Sequence, residues 1–470
     1  MTLHGLLSAT ECDVALVDGE GRWSSVELDR WAGRLAAGLV DLGVQRGRPV
    51  VFQYGIEATA VALYRAIWRL GAVAVPVHHH DGGALIDALL AQLQAAGATP
   101  IAVSRPDLAL AERLDAVSAD DLLRDDEAQP VACDSDDRAL VMFTSGSSGT
   151  PKGVVHTHGS LAHKPPQLIV LHHLGPGSAS LMPAPLAHVS GLLHAVLCPA
   201  IGAFKAVLMA RWDPAAALDL IEREHITYMV GPPTFFLGLM DDPAFAPRRV
   251  ASLELLSVGG TSITPEFVDR AERELGCIVK RAYGSTEAPS FCTSDNTDSA
   301  ANRTRTDGRP LPPGEIRIDA ESSEVLLQGP ELARGYLDPS MDDGVFVDGW
   351  YHTGDTGTLD HEGWLTITGR LAGTIIRGGE NVSISAVEET LQSHPTVTAA
   401  VVLGRPDVRL GETVVAFVAT TGSFDLDECR RWFEAQGAAR FTWPETVVVL
   451  DEMPLLPFGK PDRQALSRLL

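Results

Sequence analysis

Short apolar runs alternate with segments of helical periodicity over the first 284 residues, and this alternation constrains the fold most strongly. Predicted strands include RPVVFQY (48–54), AVAVPV (72–77), ALVMFT (139–144), LELLSVGG (253–260) and CIVKRAYG (277–284). Before the first of these strands, residues 23–45 begin with serine caps and then place apolar residues at near-helical spacing. Such alternation predicts a mostly parallel sheet flanked by helices, which is an α/β fold.

The character of the chain changes twice after this region. Residues 311–370 are rich in Gly, Pro and short strands, which predicts a β-rich subdomain. The last hundred or so residues mix helices and strands and predict a small, mobile α+β domain. Because Gly369, Gly373 and Gly378 cluster here, we expect a large N-terminal domain at 1–370, containing the subdomain 311–370, and a C-terminal lid domain at 371–470.

Composition excludes some partners. The 470 residues contain 37 Lys plus Arg against 61 Asp plus Glu, a net charge of −24, which argues against nucleic-acid and anionic membrane surfaces. Six scattered Cys form no close pair, as expected for a reducing cytoplasm. No signal peptide is predicted. The most apolar window, 191–210, contains His194, Pro199 and Lys205, so it predicts two buried elements with a turn and not a membrane span.

The segment FTSGSSGTPKG (143–153) follows a predicted buried strand directly. A Gly-rich loop in this place can turn several backbone N–H groups toward an anion, and Lys152 adds a positive charge. The spacing is not that of a Walker loop, because Lys152 precedes Gly153 and not Ser or Thr. From composition alone, a phosphate site and a flexible linker remain equally open.

Two histidine runs, at 78–80 and 172–173, raise the question of a metal site. No carboxylate or Cys lies at ligand spacing beside them, so we expect no zinc site, and His78, His79 and His80 receive no role.

Several motifs together resemble those of the adenylate-forming enzymes, which include acyl- and aryl-CoA ligases, peptide-synthetase adenylation domains and luciferases. The segments TSGSSGTPKG (144–153), PLAHVSGL (185–192), YGSTE (283–287), YHTGD (351–355), GR (369–370) and LPFGKPDR (456–463) occur in the family's order. The resemblance runs from about residue 20 to 465 and is strongest to acid–CoA ligases.

The resemblance implies a two-step reaction with ATP, Mg²⁺ and CoA. A carboxylate first attacks the α-phosphorus of ATP to give an acyl-adenylate and pyrophosphate, and a thiol then takes the acyl group. The implied catalytic residues are Lys460 for adenylation, His188 near the acyl and thiol channels, Thr286 at the α-phosphate and Glu287 as the Mg²⁺ ligand. Tyr283 is implied to stack on adenine, Asp355 to bind the ribose hydroxyls and Arg370 to support it. The full implied ATP/AMP set is Thr144, Ser145, Gly146, Ser147, Ser148, Gly149, Thr150, Lys152, Gly260, Tyr283, Gly284, Ser285, Asp355 and Arg370.

The substrate acid is expected to lack an α-amine. Relatives that activate amino acids place an Asp after the aromatic residue of the PLAHVSGL segment, whereas this chain has Val189 there, and an unpaired ammonium in an apolar pocket is costly. The implied acyl pocket comprises Val189, Phe235, Val258, Gly259 and Ala282. An aryl and an aliphatic acid both fit this set.

The hinge and thiol channel depart in part from the family pattern. Gly373 stands where the chain is expected to swivel, and Ala372–Gly373 replaces the Lys-Asp pair of many relatives, so a side-chain lock is missing. Gly378 and Gly379 are implied to line a thiol tunnel for a pantetheine arm.

Three functions remain open from sequence. The leading one is an AMP-forming acid–CoA ligase of fatty acid or secondary metabolism acting on a small-molecule carboxylic acid. The second is a stand-alone adenylating enzyme that loads a separate phosphopantetheinyl carrier protein, and the third is a non-catalytic nucleotide-binding relative. The oligomeric state, including a homodimer, stays open.

Overall fold

The computed structural model describes residues 2–144, 151–260, 263–377, 380–407, 410–436, 438–456 and 460–470. Over these residues the strands assemble into four sheets, with nine, six, five and five strands. The α-helices lie at Leu3–Leu7, Ser25–Asp41, Ala58–Arg69, Gly83–Ala95, Ala119–Leu122, His158–Leu171, Val189–Gly191, Cys198–Gly202, Pro214–Glu224, Pro233–Asp241, Pro265–Leu275, Ala300–Arg305, Ile384–Gln392, Leu426–Ala435 and Arg463–Ser467.

The six-stranded sheet contains the two strands that precede and follow the Gly-rich segment in sequence. Its order is Gly335–Tyr336, Lys152–Thr157, Arg138–Thr144, Val73–Val77, Pro49–Gln53 and Ile101–Ser104. The last four strands run parallel, whereas the first two are antiparallel additions. Val73–Val77 is buried at every position, as expected for a parallel strand covered by helices on both faces.

The nine-stranded sheet is parallel in its centre. Its order is Arg309–Pro310, Cys292–Thr293, Ile278–Tyr283, Leu255–Gly259, Tyr228–Gly231, Ala179–Met182, Lys205–Leu208, Leu16–Val17 and Arg22–Trp23. Only the edge pairings at the two ends are antiparallel. The predicted strands therefore form two largely parallel sheets.

One apolar core joins these two sheets. It contains Phe52 and Leu140 of the smaller sheet and Met182 and Leu208 of the larger one, with helices between them. Further clusters cover the outer face of each sheet. The result is a five-layer arrangement in which helices and sheets alternate, and Ala58–Arg69 is buried nearly all round because it lies in the middle layer.

Local sequence signals explain where several elements begin and end. Ser24 and Glu27 form a capping box at the start of Ser25–Asp41, so the serine-cap prediction is confirmed. The apolar window at 191–210 contains helical turns up to Gly202 and the strand Lys205–Leu208, separated by Ala203 at φ +52°. Within the part of the chain that the structure describes, no helix combines the length and apolar character needed to cross a bilayer.

The β-rich region and the C-terminal region form the two remaining sheets. The first is antiparallel and contains Glu315–Ile318, Glu324–Gln328, Trp350–Leu359, Phe346–Val347 and Leu365–Arg370. The second contains Glu380–Ser383, Thr374–Arg377, Gly411–Thr420, Val397–Asp407 and Thr446–Leu450. The C-terminal sheet has its own apolar core with the helices Ile384–Gln392 and Leu426–Ala435. A large α/β N-terminal part, a β-rich part and a smaller C-terminal domain are thus present, while the exact boundary at 370 remains a prediction.

Candidate active site

A carboxylate, a guanidinium and a phenol meet where two sheets approach each other. Asp355 and Arg370 lie directly opposite on neighbouring antiparallel strands, and Arg370 Nε donates to Asp355 Oδ1 at 2.6 Å. Tyr283, at the end of its strand, donates its hydroxyl proton to Asp355 Oδ2 at 2.7 Å. Asp355 is only 6% exposed, so the structure brings together three predicted residues around one buried carboxylate.

The C-terminal lysine reaches this same place. Gly260 has φ +83°, and a Cβ built there would lie 3.6 Å from Lys460 Cε and 3.8 Å from Nζ. A residue with a Cβ at 260 would be strained by the positive φ, although its Cβ would make only an ordinary van der Waals contact with the lysine. Burial lowers the pKa of the Lys460 ammonium; Arg370 lowers it further and Asp355 opposes the change. A lysine 200 residues later in sequence (460 − 260) therefore lies beside the Asp355 cluster.

His188 faces the lysine as a neutral imidazole. It caps the short helix Val189–Gly191, and its Nδ1 accepts from the Ser190 backbone N–H at 3.3 Å. The ring proton consequently resides on Nε2. Burial lowers the pKa of His188 to about 4, with the charge of Lys460 as a second cause. At neutral pH the imidazole offers hydrogen bonds without adding a charge.

The segment 283–287 is shaped by close backbone contacts. A Cβ on Gly284 would lie 2.5 Å from the backbone nitrogen of Ser290, so this position has no room for a side chain. Ser285 Oγ accepts from the Ala288 N–H at 3.2 Å. The Thr286 carbonyl accepts a 2.7 Å hydrogen bond from His156 Nε2. These contacts hold Thr286 and Glu287, both 8% exposed, in a fixed turn.

Tyr336 links the predicted phosphate lysine to the predicted metal carboxylate. Its hydroxyl donates to Glu287 Oε1 at 2.8 Å, and Lys152 Nζ lies 4.9 Å from its ring centroid. Sequence analysis missed both Tyr336 and His156. Tyr336 lies in RGYLD, within the region predicted as β-rich, and nothing in its local spacing marks it as a site residue. His156 lies three residues after the Gly-rich segment, which is the one available signal.

The predicted acyl wall is apolar and partly fixed by packing. Val189, Val258 and Phe235 are buried, and Phe235 stacks on Trp212 with ring centroids 4.5 Å apart. A Cβ on Gly259 would lie 2.7 Å from the Ala282 carbonyl oxygen, so only Gly fits there. Trp212, which packs on this predicted wall through Phe235, was not identified from the sequence.

Some predicted residues lie elsewhere or outside the described residues. Thr144 ends its strand directly before the Gly-rich segment, whereas residues 145–150 (Ser145, Gly146, Ser147, Ser148, Gly149, Thr150) and 378–379 (Gly378, Gly379) lie outside the described part of the chain. Gly373 closes a short turn after Arg370.

His78 and His79 stack with ring centroids 4.4 Å apart, and the tilted ring of His80 lies 4.0 Å from that of His79. Burial is the first cause that lowers the pKa of His78, to about 3. Among the residues that the structure describes, no group of three or more His, Cys, Asp or Glu is arranged to hold a metal ion.

The fold and this site define the class of the protein. Two parallel sheets, a β-rich sheet and a small C-terminal domain surround a pocket edge with a buried aspartate, a strand-end tyrosine and a lysine delivered from the C-terminal region. This is the architecture of adenylate-forming enzymes, so the resemblance noted in the sequence is confirmed.

Comparison with known proteins gives the family. AMP-binding enzymes match residues 8–337, and the AMP-binding enzyme C-terminal domain matches residues 386–460. The chain therefore belongs to the AMP-binding enzyme family.

It is 30% identical to the medium-chain fatty-acid–CoA ligase of Escherichia coli (95% of this chain, 86% of that protein). It is 31% identical to a feruloyl-CoA synthase of an Amycolatopsis species (92% and 91%). Among solved structures, o-succinylbenzoate CoA synthetase from Bacillus subtilis in complex with its acyl-adenylate intermediate superposes with a TM-score of 0.86 at 25% identity, covering 99% of this chain and 98% of that one.

Proposed function

We propose that this protein activates a carboxylic acid with ATP and then transfers the acyl group to the thiol of CoA. The single observation that carries the proposal is the position of Lys460, which lies against Gly260 beside Asp355 and Arg370. The names of the relatives, a medium-chain fatty-acid–CoA ligase and a feruloyl-CoA synthase, support an acid and a CoA acceptor.

In the first step a carboxylate oxygen attacks the α-phosphorus of ATP. The bond between the α-phosphorus and the bridging oxygen breaks, and pyrophosphate leaves with the electron pair. Two anions have to approach each other, so alignment and charge stabilisation dominate. We assign to the Lys460 ammonium a contact with both the carboxylate and the α-phosphate, and to Thr144 and Lys152, on either side of the Gly-rich segment, contacts with the outer phosphates.

Asp355 would bind the ribose and Tyr283 the adenine. A carboxylate has about four acceptor positions, of which Tyr283 and Arg370 use two. Acceptor capacity therefore remains for two ribose hydroxyls. Arg370 holds the Asp355 carboxylate in its orientation from the neighbouring strand, which is a positioning role.

The residues present fit a magnesium ion. Glu287 offers a carboxylate oxygen, the ligand type that Mg²⁺ prefers, and phosphate oxygens and water would supply the remaining ligands. When bound, Mg²⁺ would neutralise charge on the departing pyrophosphate. Thr286 lies next to this carboxylate, and we assign it to the α-phosphate.

The acyl group of the acid would lie against the apolar wall. Val189 provides no partner for an α-ammonium, and the stacked pair of Phe235 and Trp212 offers a flat apolar surface. We therefore propose an aryl or aliphatic acid without an α-amine. Val258, Gly259 and Ala282 would form the rest of this wall.

In the second step the sulfur of the thiol attacks the carbonyl carbon of the adenylate, and AMP leaves. We propose that the C-terminal lid, with its boundary near residue 370, swivels at Gly373 between the two steps. Gly378 and Gly379 would then line the thiol channel. We assign to His188, neutral at physiological pH, a contact with the reacting carbonyl.

Pyrophosphate exchange across a panel of carboxylic acids tests the adenylation step. We expect ATP exchange with at least one aryl or aliphatic acid and none with α-amino acids. No exchange with any acid, despite measurable ATP binding, would favour a non-catalytic nucleotide-binding protein. With the acid identified, free CoA is compared with a phosphopantetheinylated carrier protein; exclusive acylation of the carrier would replace CoA as the proposed acceptor.

A further inference from the structure

The side chain of Tyr336 stands between two opposite charges that the proposed reaction needs. Tyr336 belongs to the short strand Gly335–Tyr336, which pairs with the strand that begins at Lys152. It lies opposite Val154, and Leu337 N–H donates to the Gly153 carbonyl at 2.7 Å. The backbone ladder thus fixes Tyr336 next to Lys152, although 184 residues separate them in sequence (336 − 152).

The ring and the hydroxyl group of this tyrosine have different partners. Lys152 Nζ lies over the ring at 4.9 Å from the centroid, a cation–π distance. The hydroxyl donates to Glu287 Oε1 at 2.8 Å. A phenol carries its proton at neutral pH, so the hydroxyl is the donor to this carboxylate.

A direct Lys152–Glu287 ion pair would be the competing arrangement. Two unit charges about 4 Å apart attract strongly in a partly buried site, and such a pair would neutralise both groups before nucleotide arrives. Among the described residues, no ion pair within 4.0 Å includes Lys152 or Glu287. Tyr336 instead contacts both side chains, Glu287 through its hydroxyl and Lys152 through its ring, and forms an ion pair with neither.

Tyr336 is itself held rigidly. Its backbone N–H donates to Asp342 Oδ1 at 2.7 Å, and Phe346 packs edge-on against its ring with centroids 5.7 Å apart. Gly335 has φ +134°, and a Cβ there would lie 2.6 Å from Asp342 Oδ2. The preceding turn also reaches the site, since Ala333 N–H donates to the Glu287 carbonyl at 2.7 Å.

We propose that Tyr336 is a positioning residue that keeps the side chains of Lys152 and Glu287 apart and oriented, so that ATP and Mg²⁺ meet two groups that are not already paired with each other. The proposal rests on the proposed function, because it assumes that Lys152 contacts phosphate and Glu287 contacts Mg²⁺.

The test measures nucleotide binding without turnover. Isothermal titration calorimetry with α,β-methylene-ATP, which has no cleavable α–β bridge, is run at graded Mg²⁺ and with EDTA. Y336F keeps the ring and loses the hydroxyl, so we expect about a tenfold higher Mg²⁺ requirement, on the scale of one hydrogen bond to a charged group. Its metal-free affinity should stay within about twofold of wild type. Y336L removes both contacts, and its metal-free affinity should fall about tenfold as well.

The decisive variant combines Y336L with E287Q. If Lys152 pairs with Glu287 once the ring is gone, removing the carboxylate charge restores metal-free nucleotide affinity to within about threefold of wild type. A packing defect would not be repaired in this way. Y228F is the matched control, because the Tyr228 hydroxyl is also buried and hydrogen-bonded, to His194 Nδ1 at 3.0 Å, and we expect a lower melting temperature with both affinities unchanged.

Two results would overturn the inference. One is a wild-type Mg²⁺ requirement in Y336F; the other is a failure of E287Q to restore binding in Y336L while both proteins melt cooperatively. If the wild-type protein itself binds no α,β-methylene-ATP with Mg²⁺, the proposed function fails instead, so the two failures are distinguishable.

Discussion

Replacing Lys460 by Ala removes the only group that the C-terminal region contributes to the described part of the site. The ammonium is partly desolvated and lies beside Asp355 and Arg370. At an effective dielectric constant of about 20, a unit charge 4 Å away interacts by about 4 kcal/mol. Loss of one preorganised donor to a developing charge costs about 2.7–4 kcal/mol in comparable sites. We therefore expect adenylation to fall by about 10²–10³-fold in K460A.

The assay separates the two half-reactions. Pyrophosphate exchange with the preferred acid measures adenylation, and transfer from a supplied acyl-adenylate to CoA measures thioester formation. We expect K460A to lose the first and to keep the second within about threefold, because the proposed contact exists only in adenylation. K460R should recover part of the exchange rate, since it keeps the positive charge. R211A removes one positive charge from the exposed surface and serves as the control for net charge.

Equal loss of both half-reactions in K460A, with an intact melting transition, would refute the assigned role. A wild-type exchange rate in K460A would refute it equally.

Two further predictions concern the charged groups of this site, and a third concerns the buried ion pair of Lys164 and Glu331. Burial lowers the pKa of Lys460 from its ordinary value of 10.5, and the ammonium is the active form, so the exchange rate should decline as pH rises through a value below 10.5. In K460R this decline should move to higher pH. A decline at the same pH in K460R would assign the titration to another group. D355N should raise the KM for ATP about tenfold or more, because Tyr283 and Arg370 lose a charged acceptor; an unchanged KM would contradict the ribose assignment. Lys164 and Glu331 form a 2.6 Å ion pair with both side chains 1% exposed. In urea denaturation, E331Q should lower the free energy of unfolding by about 3–5 kcal/mol, whereas K164M combined with E331L should recover most of this loss. Equal stability of E331Q and wild type would show that the pair is dispensable.

The signals that define each helix and strand lie within a few residues of one another, and this is why the sequence predicts these elements well. The pattern of each parallel strand follows from burial on both faces, as in Val73–Val77. The capping box at Ser24 depends on residues three positions apart. The motif residues Tyr283, Asp355 and Lys460 were identified by resemblance, and their convergence on one place agrees with that reading, although their roles await the experiments above.

What the sequence determined by itself is the set of periodicities and turn signals that make a largely parallel α/β protein, together with the ordered motifs that mark its family. Only the tertiary structure decided which side chains share a site. Tyr336 meets Glu287 across 49 residues and His156 meets Thr286 across 130, and Trp212 meets Phe235 by packing of separate elements. The physical reason is that periodicity records the burial of one element, whereas these contacts depend on how sheets and loops far apart in sequence are brought together in the folded chain.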